Sequence, residues 1–71
     1  MGDDMTSILL NGTDLDIAPG ATVAAAVALL TTSESGCAVA VNDEVVPRHA
    51  WTERVLTTGD RVEVLTAVQG G

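Results

Sequence analysis

The 71-residue sequence has no lysine, phenylalanine or tyrosine, and only one cysteine, one histidine and one tryptophan. Each shortage removes a class of function. Three arginines stand against ten acids, for a formal net charge of −7. Nucleic-acid binding needs cations that displace phosphate counterions, and anionic membranes attract the same cations. Neither nucleic acid nor membrane is therefore an expected partner. An acidic surface favours a partner with a basic docking face, through encounter rate more than affinity, and it also favours solubility. One cysteine permits no intramolecular disulfide, which fits a reducing, cytoplasmic setting. A lone histidine with a lone cysteine makes no zinc-type ligand set, so no metal site is expected.

Without phenylalanine or tyrosine, the core must be built from Val, Leu, Ile and Ala around Trp51. The hydrophobic fraction of 46% is enough to separate the chain from disordered compositions. Its length suits a single domain, 1–71. A domain this short buries only about 60% of the surface its unfolded chain exposes, which leaves little wall for a deep catalytic cleft. The longest apolar run, Ala18 to Leu30, is broken by Pro19, Gly20 and Thr22. It falls short of the roughly 20 residues a membrane-spanning helix needs. Met1-Gly2-Asp3-Asp4 is acidic, with no apolar core of a signal peptide. Residues 1–5 are expected to be a loose leader.

Local signals then order the elements. Asn11-Gly12 lies between Ile8-Leu9-Leu10 and Leu15-Asp16-Ile17, and Asn-Gly favours the tight turn of an antiparallel hairpin. Asp14 and Asp16 alternate with Leu15 and Ile17, so both carboxylates share a solvated outer face. A catalytic acid pair is discarded for them, because no cleft surrounds them to shift either pKa. Pro19-Gly20 breaks the strand, and Thr22 is placed to cap a helix running from Val23 to about Thr31. Val23, Val27 and Leu30 form its apolar stripe, and alanines let it approach a sheet closely. Ser33 to Gly36 reads as a loop. Cys37-Ala38-Val39-Ala40-Val41 is an apolar run expected as a buried strand, with Cys37 a small packed side chain. Asn42-Asp43 turns into a short strand, Glu44-Val45-Val46, which Pro47 stops. Trp51 is expected as a lid over one end of the core, Leu56 as the anchor of the irregular stretch, and Thr58-Gly59-Asp60 as a turn.

Arg61 to Val68 alternates as a final strand. Val62, Val64, Thr66 and Val68 share one side; Glu63, Leu65, Ala67 and Gln69 share the other. With the helix on the valine side, Leu65 and Ala67 face outward as a docking patch, and Arg48 is a further candidate contact for a partner. Gln69-Gly70-Gly71 follows. Glycine loses the most conformational freedom on ordering, so residues 69–71 are expected to stay mobile. At average usage two closing glycines arise by chance in roughly one chain in two hundred. The useful chemical group is therefore expected to be the main-chain carboxylate of Gly71, held out from a small rigid body.

From Ile8 to Gly71 the sequence resembles the ThiS family of sulfur carriers of thiamine thiazole biosynthesis, within the ubiquitin-like β-grasp fold. The resemblance is carried by Val41-Asn42, by Val46-Pro47-Arg48 with Trp51, by Gly59-Asp60-Arg61-Val62-Glu63, and by Val68-Gln69-Gly70-Gly71. Gln69 departs from the alanine common at that position. The resemblance implies an α+β fold: a mixed four- to five-stranded sheet with one helix on one face and a flexible C-terminal tail. It implies no catalytic side chain and no bound cofactor. Gly71 would be adenylated by an E1-like (ThiF-type) enzyme using ATP and Mg²⁺, then converted to a thiocarboxylate by sulfur from a persulfide donor. Thiazole synthase (ThiG-type) would take that sulfur, with Gly70 and Gln69 recognised along the tail. Alternatives are a molybdopterin synthase small subunit, which shares fold, tail and chemistry, a ubiquitin-like protein modifier, and a non-reactive binding module.

Overall fold

Asn11 and Gly12 both take positive φ, 51° and 84°, the geometry that a two-residue hairpin turn requires. They join β1 (Thr6–Leu10) to β2 (Thr13–Ile17) in antiparallel register, with Leu10 opposite Thr13 and Ile8 opposite Leu15. The computed structural model describes residues 5–30 and 36–66. Helix α1 (Val23–Leu30) follows, then β3 (Cys37–Val41), β4 (Glu44–Val46), a short 3-10 helix (Arg48–Ala50) and β5 (Arg61–Thr66). The five strands form one sheet in the order β2-β1-β5-β3-β4. β5 sits at its centre, parallel to β1 and antiparallel to β3. A mixed five-stranded sheet with one helix is the β-grasp arrangement that the resemblance implied.

The helix begins where the sequence said it should, and its start is fully bonded. Four N–H groups at a helix N-terminus have no partner within the helix. Here Val23 N–H donates to the Arg54 carbonyl at 2.9 Å and Ala24 N–H to the Trp51 carbonyl at 3.1 Å. Ala25 N–H reaches the Thr22 hydroxyl oxygen at 3.4 Å, as expected of a cap, and Ala26 N–H the Thr22 carbonyl at 3.1 Å. A bridge between Thr22 and Val55 continues this lacing. The irregular stretch after β4 is thus fastened across the head of the helix.

Two expectations are corrected. The buried stripe of α1 is Val23, Ala26 and Val27, while Leu30 is 47% exposed. The methyl of Ala26 lets the helix lie close to the sheet, and among the described residues nothing covers the last turn. β3 is not buried throughout: Val39 and Val41 are buried, Cys37 and Ala40 half-buried and Ala38 exposed. Alanine is apolar enough to hide a period-two pattern when it alternates with valine. Trp51 behaves as the expected closure of the core. It is 2% exposed, and its indole N–H donates to the Val46 carbonyl at 2.9 Å. Leu56, 1% exposed, anchors the same stretch. Of the loop expected over 33–36, only Gly36 is among the described residues; the leader, apart from an exposed Met5, lies outside them.

Candidate functional site: the open sheet face and the strand before the tail

Two asparagines hold β5 from opposite sides. Val64 N–H donates to Asn11 Oδ1 at 2.8 Å, and Asn11 Nδ2 donates back to the Val64 carbonyl at 3.3 Å. The Asn11 amide thereby does the work of one more residue of β1 after the backbone has turned away. On the other side, Arg61 N–H donates to Asn42 Oδ1 at 2.9 Å, and Asn42 N–H to the Arg61 carbonyl at 2.8 Å. Asn42 and Asp43 both have positive φ, 53° and 70°, which asparagine and aspartate tolerate better than most residues. The two hairpin turns are therefore also the clamps of the central strand.

Asp60 locks the start of that strand. It is 8% exposed, accepts the Asn42 side-chain N–H at 3.0 Å and accepts the Thr57 backbone N–H at 2.9 Å. Burial by itself pushes the Asp60 carboxyl upward. The hydrogen bonds from Thr57 and Asn42, with the charge of Arg54, outweigh it and hold the carboxyl below its ordinary value. Next to it, Arg61 pairs with Asp43 at 2.8 Å. That hydrogen bond and charge keep the guanidinium more firmly protonated than usual, although an exposed pair of this kind contributes little to stability.

The face of the sheet away from α1 is apolar at its centre. Strand parity sends Val62 and Val64 inward, 1% and 5% exposed, and leaves Leu65 70% exposed. Leu65 lies opposite Ala38, and Ala40 lies opposite Glu63 and Val45. Together these residues line a shallow groove of about 100 Å³. Val45, 76% exposed, was not singled out from the sequence. The signal was there: Val45 and Val46 are neighbours on one strand and cannot both face the core.

The predicted site residues divide. Leu65 lies on the open face as expected. Arg48 is exposed on the 3-10 helix, its guanidinium 5.3 Å above the Trp51 ring centroid, within cation–π range. It does not line the groove with Leu65. Ala67, Gln69, Gly70 and Gly71 lie outside the described residues, directly after β5. Asp14 and Asp16 are exposed on the outer face of β2, and Cys37 is half-buried. No helix among the described residues is long and apolar enough to cross a membrane.

Comparison with known proteins agrees with this geometry. The ThiS family matches residues 8–71. The sulfur carrier protein ThiS of Escherichia coli K12 is 31% identical over 64 residues, covering 90% of this chain and 97% of that protein. The crystal structure of the thiamine biosynthesis protein ThiS from Geobacter metallireducens superposes with a TM-score of 0.73 at 26% identity, over 92% of this chain and 99% of that one. With family, fold and the strand leading to the two glycines in agreement, the chain belongs to the ThiS family of sulfur carrier proteins.

Proposed function

We propose that this chain carries sulfur for thiamine thiazole synthesis as a thiocarboxylate on Gly71, and that partner enzymes perform every chemical step. What supports the reading is the family match running through residue 71, with β5 bonded on both sides just before it. An ionised α-carboxylate, with a pKa of about 3.5, has no leaving group and is a poor acyl donor. An E1-like adenylating enzyme, holding ATP and Mg²⁺, would let a Gly71 carboxylate oxygen attack the α-phosphorus and release pyrophosphate. The terminal sulfur of a persulfide donor would then displace AMP from the acyl carbon. Reduction of the resulting S–S bond by a thiol leaves the thiocarboxylate, which thiazole synthase consumes.

The chain's own part is presentation. Gly70 and Gly71 carry no Cβ, so nothing crowds the acyl carbon or a narrow channel leading to it. Residues 69–71, extended, span at most roughly 10 Å, enough to reach a partner's active site while the domain stays outside. Gln69 would be read along that channel. Leu65, with Ala67 beyond it, would dock the open face on the partner, and Arg48 would sit at the rim of the contact. Reconstitution tests the reading: purified thiazole synthase, its two substrates and the thiocarboxylate form of this chain should give thiazole phosphate. The unmodified chain should give none. Turnover with the unmodified chain would remove Gly71 from the reaction.

A further inference from the structure

Among the described residues, β2 lies at one margin of the sheet and pairs only with β1. The hydrogen bonds fix which of its main-chain groups remain free. Leu9 N–H bonds the Asp60 carbonyl and Asn11 N–H bonds the Val62 carbonyl, so the odd-numbered residues of β1 turn toward β5. Ile8 and Leu10 therefore turn toward β2 and use the main-chain groups of Leu15 and Thr13. The N–H and C=O groups of Asp14 and Asp16 point away from the sheet. Among the described residues, no backbone group beyond the β1–β2 ladder reaches them.

The two sides of this edge differ in chemistry. The Asp14 and Asp16 carboxylates stand on the open face. On the helix side Leu10, Thr13, Leu15, Leu29 and Leu30 border an open apolar groove of about 420 Å³. Leu29 is 63% and Leu30 47% exposed. A second copy is a poor occupant. Two β2 edges paired antiparallel about Leu15 set Asp14 opposite Asp16 of the other copy, twice over, and like charges directly opposite destabilise a strand pair.

We infer that the β2 edge docks an extended segment of another protein whose side chains alternate between basic and apolar. Residues opposite Asp14 and Asp16 bond their main-chain groups and bring cations over the carboxylates. The residues between them drop apolar side chains into the groove beside Leu15, Leu29 and Leu30. Strand addition supplies affinity through the backbone and specificity through alternate side chains, and the net charge of −7 draws a basic segment in. The site uses neither the Leu65 groove nor residues 67–71, so it holds or fails independently of the tail chemistry.

The test titrates the isotope-labelled chain with a blocked peptide alternating arginine and valine, followed by NMR. Shifts are expected in the amides of residues 13–17 and the methyls of Leu15, Leu29 and Leu30. A glutamate–valine peptide, and the arginine–valine peptide N-methylated at its arginine amides, should bind at least about tenfold more weakly. Reversing the edge with Asp14→Lys and Asp16→Lys, both exposed, should turn the preference toward the acidic peptide. Equal binding of the N-methylated peptide, shifts centred on Leu65 and Val45, or no shift at millimolar peptide would overturn the inference. Self-association of the chain through β2 would overturn it in favour of a second copy.

Discussion

Asn11 and Val64, 53 residues apart in sequence, are joined by two hydrogen bonds, 2.8 Å and 3.3 Å long. A turn residue of the first hairpin thereby steadies the strand that leads to the tail. Replacing Asn11 separates its two duties. Asn11→Gly keeps the positive φ and loses only the clamp; Asn11→Ala loses the clamp and strains the turn. Denaturant unfolding should show a loss of about 1–2 kcal/mol for the glycine variant and roughly 1 kcal/mol more for the alanine variant. Amide exchange at Val64 should quicken in both. Unchanged exchange at Val64 would mean that the clamp is idle.

Asp60 makes stability depend on acid. Its folded-state carboxyl is held below the ordinary value, so the ionised form contributes stability that is fully present above about pH 4. That contribution disappears as pH falls through the lower folded-state value. Asp60→Asn should cost about 1–3 kcal/mol at neutral pH, because the Thr57 N–H and the Asn42 amide lose a charged acceptor. The variant should also lose less stability than the parent as pH drops from 5 toward 2. Parallel acid limbs for the two proteins would refute this role.

Trp51 closes the core and bonds the carbonyl that ends β4. Trp51→Ala should destabilise by about 3–5 kcal/mol. A domain with roughly 0.05–0.15 kcal/mol of stability per residue has little beyond that. Trp51→Phe, which loses the indole N–H and part of the volume, should stay folded with a lower melting temperature. A melting temperature equal to the parent's would show that neither the indole bond nor its bulk matters.

Leu65→Asp tests the proposed docking face. At 70% exposure the change should move stability by no more than about 0.5 kcal/mol. Affinity for the adenylating enzyme should fall by at least about tenfold. Unfolding, seen as lost secondary structure in circular dichroism, would make Leu65 part of the core instead.

Much of this was legible because it is local. The Asn11-Gly12 turn, the Thr22 cap and the parity of Val62, Val64 and Leu65 each depend on neighbours within a few residues, and each is found where the sequence indicated. The helix stripe was misread at Leu30 because two leucines at the end of an alanine-rich helix carry the same apolar label whether or not a sheet lies beneath them. The run from Cys37 to Val41 was misread because alanine on the open face looks like core. By local pattern alone, Asn11, Asn42 and Asp60 read as turn residues. Their partners, Val64, Arg61 and Thr57, depend on how β5 threads between β1 and β3, which no local pattern states. The two closing glycines pointed to a presented carboxylate, the resemblance named its chemistry, and residues 69–71 lie outside the described residues.

Lengthening the tail probes the geometry of presentation. One alanine added after Gly71 should abolish sulfur transfer and leave the melting curve unchanged, because it displaces and crowds the reactive carbonyl while burying nothing. Full transfer by the lengthened chain would show that the position of that carbonyl is not used.

The most direct measurement is the intact mass of this chain after incubation with an E1-like adenylating enzyme, ATP, Mg²⁺ and a persulfide donor. The account predicts exchange of one oxygen for one sulfur, localised by fragmentation to Gly71. An unchanged mass, or covalent attachment of Gly71 to lysines of other proteins, would contradict it.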